Sequence, residues 1–467
     1  MEINNLLKFA DLIFSFKINN YSLKKYKYLI LFIFLIIILI FSKFNNIFLL
    51  SLNQNNKLLK NIINLSYNKK IKNKIRIAIY GYCIINGGRA RVTSLLASYF
   101  YKVPIFKIFL FTVLKKEAGE YIIPNDIKRF VIKNNLIQTL KKNKIDIIIY
   151  ELDNLQEIEL LNNLKRIKVI FYHHLSNFDW LYSNFTNYKE IYRLFKNSKY
   201  FISIIPFENN YLFKKWGIRS ILMNNLMTYE YNIVIPSNLS SNTILMIGRG
   251  QAKKKRFKIG IQSMEFIIQE IPNCKLKIIS DISRINNLMN LVNDLNLFNN
   301  INFIGFKNNP EIYFRNASLN IFPSISEAFP MVIIETKIFG LPNILLGLDY
   351  IAIAEQGNII IYDDSPESIA MQAIKVLRDH IYKTKLGKDS RNSMKKYKNN
   401  LIIDKWIELI LAVYIGDEYY VRLRKKTKIE PDINLINILE KQLKLLRVRI
   451  PAFINISINE YENLNLK

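Results

Sequence analysis

The chain has 467 residues, enough for two or three domains with full cores. Half of it is hydrophobic and 13% aromatic, which excludes wholesale disorder. The formal charge of +30 invites an anionic partner, but lysine is spread throughout and there is no arginine-rich block or glycine-aromatic RNA motif. A generally basic, membrane-facing surface fits better than a nucleic-acid interface. Cys83 and Cys274 are the only cysteines, so neither a disulfide framework nor a cysteine-based metal site is available.

The first element is an unbroken apolar run, Leu29 to Phe41, flanked by Tyr26-Lys27-Tyr28 and Lys43. Thirteen residues cover only ~20 Å of a ~30 Å hydrocarbon core. Extension over 28–50 supplies the length if Lys43 snorkels. The expectation is an N-terminal segment (1–27), a transmembrane signal-anchor (28–50) and a stem or linker (51–72). Five lysines ahead of the run favour a cytoplasmic N-terminus, hence a single-pass membrane protein, in endomembranes of the ER or Golgi kind if the cell is eukaryotic. No small-residue cleavage site follows the run, as a signal peptide would need.

A first domain is expected over 73–240. Ile75 to Tyr80 reads as its first strand, followed by a loop with Gly87 and Gly88 and a helix from Val92 to Phe100. Strand, glycine turn and helix together can present backbone N–H groups to a phosphate, although many α/β turns contain two glycines. Ile145 to Tyr150 and Val169 to Tyr172 read as further strands, and Phe201 to Ile205 as the last core strand of this half. The second of these ends in His173 and His174, two of only three histidines. No partner set at zinc-ligand spacing accompanies them, so one reads as structural and the other as lining a cleft at the strand's end. Asn232 to Asn242 reads as the interdomain linker.

A second domain is expected over 241–400. Thr243 to Arg249 is a strand running into a loop that carries Lys253, Lys254, Lys255 and Arg256. Arg249 with a nearby lysine is suitable chemistry for a diphosphate leaving group; a solvated basic loop is the plain alternative. Lys275 to Ile279 and Ile301 to Gly305 read as strands, and Ser365-Pro-Glu-Ser starts a helix. Strands alternating with helices imply parallel sheets covered on both faces.

The most informative stretch runs from Ser324 to Pro342. It follows an apolar strand, Leu319 to Phe322, and Pro330 suits the first turn of a helix covering Met331 to Phe339. Gly340 can close that helix in the left-handed conformation, and Pro342 blocks continuation. Glu327 then lies in a loop at the carboxyl end of a strand, and Glu335 within the helix, where open α/β sheets bind ligands. Two carboxylates so placed can hold the hydroxyls of a sugar or ribose. Spacing alone also fits a capped surface helix with two solvated glutamates.

With seven residues between Glu327 and Glu335, inside Ser-Glu-Ala-Phe-Pro and Phe-Gly-Leu-Pro, the stretch resembles the Glu-x7-Glu signature of family 4 glycosyltransferases. The resemblance covers roughly 75–415 and is strongest in the second domain. It implies the GT-B fold, two facing Rossmann-like doubly wound α/β domains with a nucleotide sugar between them, and retaining transfer to a glycan or lipid acceptor. It implies donor-diphosphate contacts at Gly87 and Gly88, and a strand-end Arg249 followed by a lysine. Lys255 aligns best there, with Lys254 the alternative. It also implies donor contacts around Glu327, Ala328, Phe329 and Glu335, and a sugar-facing histidine, His174, with His173 close behind. The last helices, Trp406 to Tyr414, are expected to cross back to the first domain, within a C-terminal helical region of 401–467. One departure stands out: Pro330 occupies a position where family members commonly have glycine, which removes an N–H.

The chain contains no Asp-x-Asp, the pair that holds a cation in the other major glycosyltransferase fold. The expectation is therefore a metal-independent, nucleotide-sugar-dependent hexosyltransferase without a cofactor. Two rival functions fit the same features. One is a sugar-nucleotide epimerase on this fold; the other is a non-enzymatic, membrane-tethered basic binding protein.

Overall fold

The computed structural model describes residues 73–416, apart from 86, 118, 152–153, 175–187, 205–217, 219, 250–252, 282–284, 326, 348–355 and 364. The expected segments 1–27, 28–50 and 51–72 and the tail from 417 lie outside the described residues. Among those described, no helix is long and apolar enough to cross a membrane.

The first half alternates strands with helices: β1 (Ile75–Gly81), α1 (Gly88–Tyr101), β2 (Phe106–Thr112), β3 (Lys128–Val131), α2 (Leu136–Lys142), β4 (Ile147–Tyr150), α3 (Leu155–Asn162), β5 (Lys168–Tyr172), α4 (Tyr188–Lys196), β6 (Tyr200–Ser203) and β7 (Ile221–Leu222). These strands form one sheet in the order β3-β2-β1-β4-β5-β6-β7, and every pairing is parallel. Central strands such as β1 and β4 are buried almost throughout, as near-continuous Ile-rich runs covered by helices on both faces should be.

The second half repeats the scheme with β8 (Thr243–Ile247), α5 (Phe257–Glu270), β9 (Lys275–Ile279), α6 (Asn286–Asp294), β10 (Ile301–Phe303), α7 (Glu311–Arg315), β11 (Leu319–Phe322), α8 (Met331–Ile338), β12 (Asn343–Leu346), β13 (Asn358–Ile361), α9 (Pro366–Arg378), α10 (His380–Ser393) and α11 (Asn399–Ile415). Its sheet, β10-β9-β8-β11-β12-β13, is also parallel throughout. In both sheets the order reverses beside the first strand of the half. That reversal is the switch point at which doubly wound sheets open a crevice at their carboxyl ends.

Several boundaries differ from the sequence expectation. The helix after the glycine turn starts at Gly88, four residues before Val92, because glycine at Gly87 adopts φ 134° and lets the chain enter the helix at once. The strand expected to reach Gly305 ends at Phe303, and Gly305 turns the chain with φ 80°. Beyond β6, expected as the last core strand of its half, lies the two-residue β7.

Helix α11 returns to the first half, as the resemblance implies. Trp406 is fully buried, with its ring edge-on to Phe100 of α1 at 5.8 Å and to Tyr172 of β5 at 5.1 Å. At the helix start, Asn399 accepts from the Met227 N–H (2.7 Å) through Oδ1 and donates to the Met227 carbonyl (2.9 Å) through Nδ2. Asn399 Nδ2 also reaches Tyr99 Oη of α1 (2.8 Å), and Tyr99 hydrogen-bonds Glu230.

Candidate active site

The loop between β11 and α8 is fixed from below by a buried polar network. Asn320 of β11 donates to Asn343 Oδ1 of β12 (2.8 Å), and Thr336 of α8 donates to the same oxygen (2.8 Å). The far end of α8 is fastened as well. Gly340 closes it at φ 73°, and the Arg391 guanidinium donates to the Ile338 carbonyl and to the carbonyls of Tyr231 (2.9 Å) and Val234 (3.0 Å). A cation at the carboxyl end also complements the helix dipole. The amino end of α8 is thereby held at the crevice, where the Ile333 N–H already donates to the Pro330 carbonyl (3.0 Å) and Met331 and Val332 are the positions ahead of it.

Glu327 lies just ahead of that end. Its Oε1 accepts from the Lys255 ammonium and from Ser324 Oγ (2.6 Å). The Lys255 and Glu327 side chains are each 13% exposed, and the ammonium also lies 5.1 Å from the centre of the Phe322 ring. Lys255 closes a short 3-10 turn, Lys253–Lys255, that is pinned to the same loop: the Lys254 carbonyl accepts from the Ile325 N–H (2.9 Å) and Ser324 Oγ (3.3 Å). Lys254 thus contributes through its main chain, and Lys255 brings its charge to Glu327. Arg249, just past β8, is exposed. Ala328 is partly buried beside Glu327, whereas the Phe329 ring is buried against Tyr397 at 6.0 Å. What Phe329 can offer a ligand is its backbone N–H.

Glu335, one turn into α8, is 7% exposed and accepts from Thr228 Oγ1 at 2.5 Å. Burial pushes its carboxyl upward, while Arg91 of the first domain and the Thr228 bond pull it back. Arg91 is itself stacked on the Tyr121 ring at 3.9 Å and donates to the Asn308 carbonyl (2.8 Å) of the second domain. Tyr229 is held well above the ordinary tyrosine range by burial and then by Glu335. The sequence singled out neither Arg91 nor Thr228. Arg91 had a signal, a cation three residues after the glycine pair; Thr228 had none.

The glycine pair meets this site from the other domain. A Cβ on Gly88 would lie 3.3 Å from Met331 Cγ, at the first residue of α8, so the amino ends of α1 and α8 converge. The Gly87 N–H is engaged by the Tyr121 hydroxyl at 3.2 Å, which leaves Gly88 and the first-turn amides of α1 as the groups that face an anion. His173 packs between Phe195 and Phe201, each at 5.9 Å, as a core residue. The His174 side chain is 3% exposed, with the Tyr172 ring 4.0 Å away and Glu151 Oε2 4.0 Å from its Nε2. Among the described residues no cluster of three or more His, Cys, Asp or Glu is placed to hold a metal.

Residues 230–399 match the model of the family described as Glycosyl transferases group 1. A search of curated proteins found no match. Solved structures similar to the chain include sucrose-phosphate synthase from Thermosynechococcus elongatus. It is 16% identical over 73% of this chain and 100% of that one, with a TM-score of 0.58. Anabaena HepE in complex with UDP and glucose is 14% identical over 72% of this chain and 99% of that one, at 0.58. WaaG, a glycosyltransferase involved in lipopolysaccharide biosynthesis, is 16% identical over 72% and 99%, at 0.55. At these identities the likeness establishes the shared GT-B fold. The segment that carries Lys255, Glu327 and Glu335 matches glycosyl transferases group 1, and the protein is a nucleotide-sugar-dependent glycosyltransferase.

Proposed function

We propose that the protein transfers a hexose, with retention and without a metal, from a nucleotide-diphosphate sugar to a glycan or lipid-linked acceptor. The observation that carries this reading is the Lys255–Glu327–Ser324 cluster at the amino end of α8, opposite Gly88. A diphosphate there would meet Lys255, with Arg249 and Lys254 close in the chain, and the first-turn amides of two helices. Glu327 would face the transferred sugar, whose anomeric carbon becomes cationic as the bond to the diphosphate breaks. Glu335, on the inner face of α8, would bind the nucleotide ribose, and His174 would contact the donor sugar near the acceptor. The family 4 pattern of these residues supports the roles. HepE, crystallised with UDP and glucose, supports the donor class.

The test is a thermal-shift screen of the full chain against UDP-, GDP- and ADP-sugars, since a ligand of the folded state raises its stability. Released nucleoside diphosphate is then measured with and without candidate glycan acceptors. One donor should stabilise the protein and release nucleotide faster when an acceptor is present. Conversion of the nucleotide sugar to an isomer without net nucleotide release would favour an epimerase, and stabilisation by no nucleotide sugar would sink the reading.

Residues 28–50 would anchor the enzyme in the membrane as a single span, in endomembranes if the cell is eukaryotic. The apolar run supports this, and the protein should then stay in the pellet on alkaline carbonate washing. Full extraction by carbonate would remove the anchor.

A further inference from the structure

The segment that takes the chain from the first domain to the second is fastened at four consecutive residues. The Met227 N–H and carbonyl are held by Asn399 at the start of α11 (2.7 and 2.9 Å). Thr228 Oγ1 donates to Glu335 Oε1 of α8 (2.5 Å). Tyr229 Oη donates to Asn309 Oδ1, ahead of α7 (2.8 Å), and its ring packs edge-on against Phe339 at 5.1 Å. Glu230 accepts from Tyr99 of α1 and from Asn399 Nδ2 (3.2 Å). Of the four, Thr228 reaches a residue of the candidate site.

A carboxyl buried like that of Glu335, 7% exposed, is costly unless a donor meets it. Among the described residues, the donor that bonds it is Thr228. Arg91 acts on it as a charge, while its guanidinium is committed to the Tyr121 ring (3.9 Å) and the Asn308 carbonyl (2.8 Å). The direction of the carboxyl is therefore set by Thr228. That side chain suits the task. Its β-branch restricts χ1, and the backbone on both sides is clamped by the bonds of Met227, Tyr229 and Glu230. Glu335 is equally constrained, because α8 is fastened at its carboxyl end by Arg391. The hydroxyl spends its one proton on Oε1 and leaves Oε2 as the oxygen to accept from a ligand. Without that hydroxyl the carboxyl would stay buried with its bond lost, and a ligand would have to freeze its torsions on binding.

We propose that Thr228 is the positioning residue of Glu335: from the crossing between the domains it holds Oε1, so that Oε2 meets a ribose hydroxyl of the donor nucleotide. The ribose role of Glu335 rests on the proposed function; the bond from Thr228 does not.

Calorimetric titration of the full chain with UDP, GDP and ADP, and with the dideoxyribose form of each one that binds, tests this. Valine keeps the shape and the β-branch of threonine but donates nothing, and serine keeps the donor. Thr228→Val should weaken ribonucleotide binding by about 5- to 10-fold, the size of one net hydrogen bond. Thr228→Ser should bind within about 2-fold of the wild type, because its hydroxyl can still donate. In a Glu335→Ala background Thr228→Val should change nothing, and the dideoxy nucleotide should bind the wild type and Thr228→Val alike. If Thr228→Val does not fold, Thr228→Ala takes its place in each comparison. Unchanged affinity in Thr228→Val, a serine variant as weak as the valine one, or a loss that persists without Glu335 or with the dideoxy nucleotide overturns the proposal. Failure of all three diphosphates to bind the wild type would sink the proposed function and this proposal with it. Binding that ignores Thr228 but needs Glu335 sinks this proposal alone.

Discussion

Replacing Glu327 by Gln should move binding and catalysis in opposite directions. In the unliganded protein Lys255 is neutralised by Glu327, so a diphosphate that uses this lysine must compete with the carboxylate. Two unit charges at 4 Å attract by ~4 kcal/mol at an effective dielectric constant of 20, an upper bound, while exposed ion pairs are worth ~0.2–1 kcal/mol. Both side chains are 13% exposed, and Ser324 still bonds Glu327 at 2.6 Å, so the pair lies between these limits. Removing the competitor should return ~1–2 kcal/mol, a ~5- to 30-fold tighter complex with a nucleoside diphosphate. The rate of transfer should fall by ~10²-fold or more, because a neutral amide cannot offset charge at the anomeric carbon. Calorimetric titration of UDP, GDP and ADP into the wild type, Glu327→Gln, Lys255→Met and the double variant checks the first part. Lys255→Met should weaken binding, and in its background Glu327→Gln should gain little. The reasoning fails if Glu327→Gln binds every diphosphate no better than the wild type. It fails equally if its gain is undiminished without Lys255, since that would be direct repulsion by the carboxylate and not competition.

If Glu335 binds the ribose as proposed, Glu335→Ala should mainly raise KM for the donor with a smaller change in kcat, because such contacts would be made both before and during transfer; steady-state kinetics against donor concentration checks the split. Transfer should persist in EDTA, and complete loss restored by manganese would show that the leaving group is handled by a metal. Trp406→Ala should cost ~3–5 kcal/mol in urea unfolding, since it empties a buried site between α1 and β5. The last expectation concerns pH. Glu151 is raised from 4.5 to about 8 by burial, so its protonated form favours the folded state. That stability is complete below pH 4.5 and is lost as pH rises through the folded value. Between pH 6.5 and 8 the loss due to Glu151 should be about 1–2 kcal/mol, offset only slightly by His174, which is depressed by burial and whose unfolded form finishes losing its proton in the same window. Urea midpoints across that window should show it in the wild type and not in Glu151→Gln.

Much of the fold was legible because a parallel sheet announces itself. Ile75 to Tyr80, Thr243 to Ile247 and Leu319 to Phe322 are apolar runs followed by loops with glycine or proline. Strand β2 escaped because Phe106 to Thr112 is interrupted by Lys107, and β3, Lys-Arg-Phe-Val, carries two charges at the sheet's edge. Among site residues, Lys255 and Glu327 were legible from local pattern, and the structure brings them together. Arg91, Thr228 and Glu151 were not, because their positions depend on which segments the two sheets bring face to face. Spacing along the chain carries no record of a contact such as Arg91 to Asn308, 217 residues apart. Glu151 had one faint mark, a lone acid directly after the apolar Ile147 to Tyr150.

The reciprocal pair of bonds between Asn399 and Met227 has a mechanical side. The chain passes between the two lobes twice, once through the segment after β7 and once ahead of α11, and Asn399 rivets these crossings together as one amide strap would another. Two independent tethers would let the lobes slide, twist or part. A paired crossing can part only if both Asn399–Met227 bonds break together. The two crossings are thereby bound to each other as well as to their own lobes, so a load on one is shared by the other.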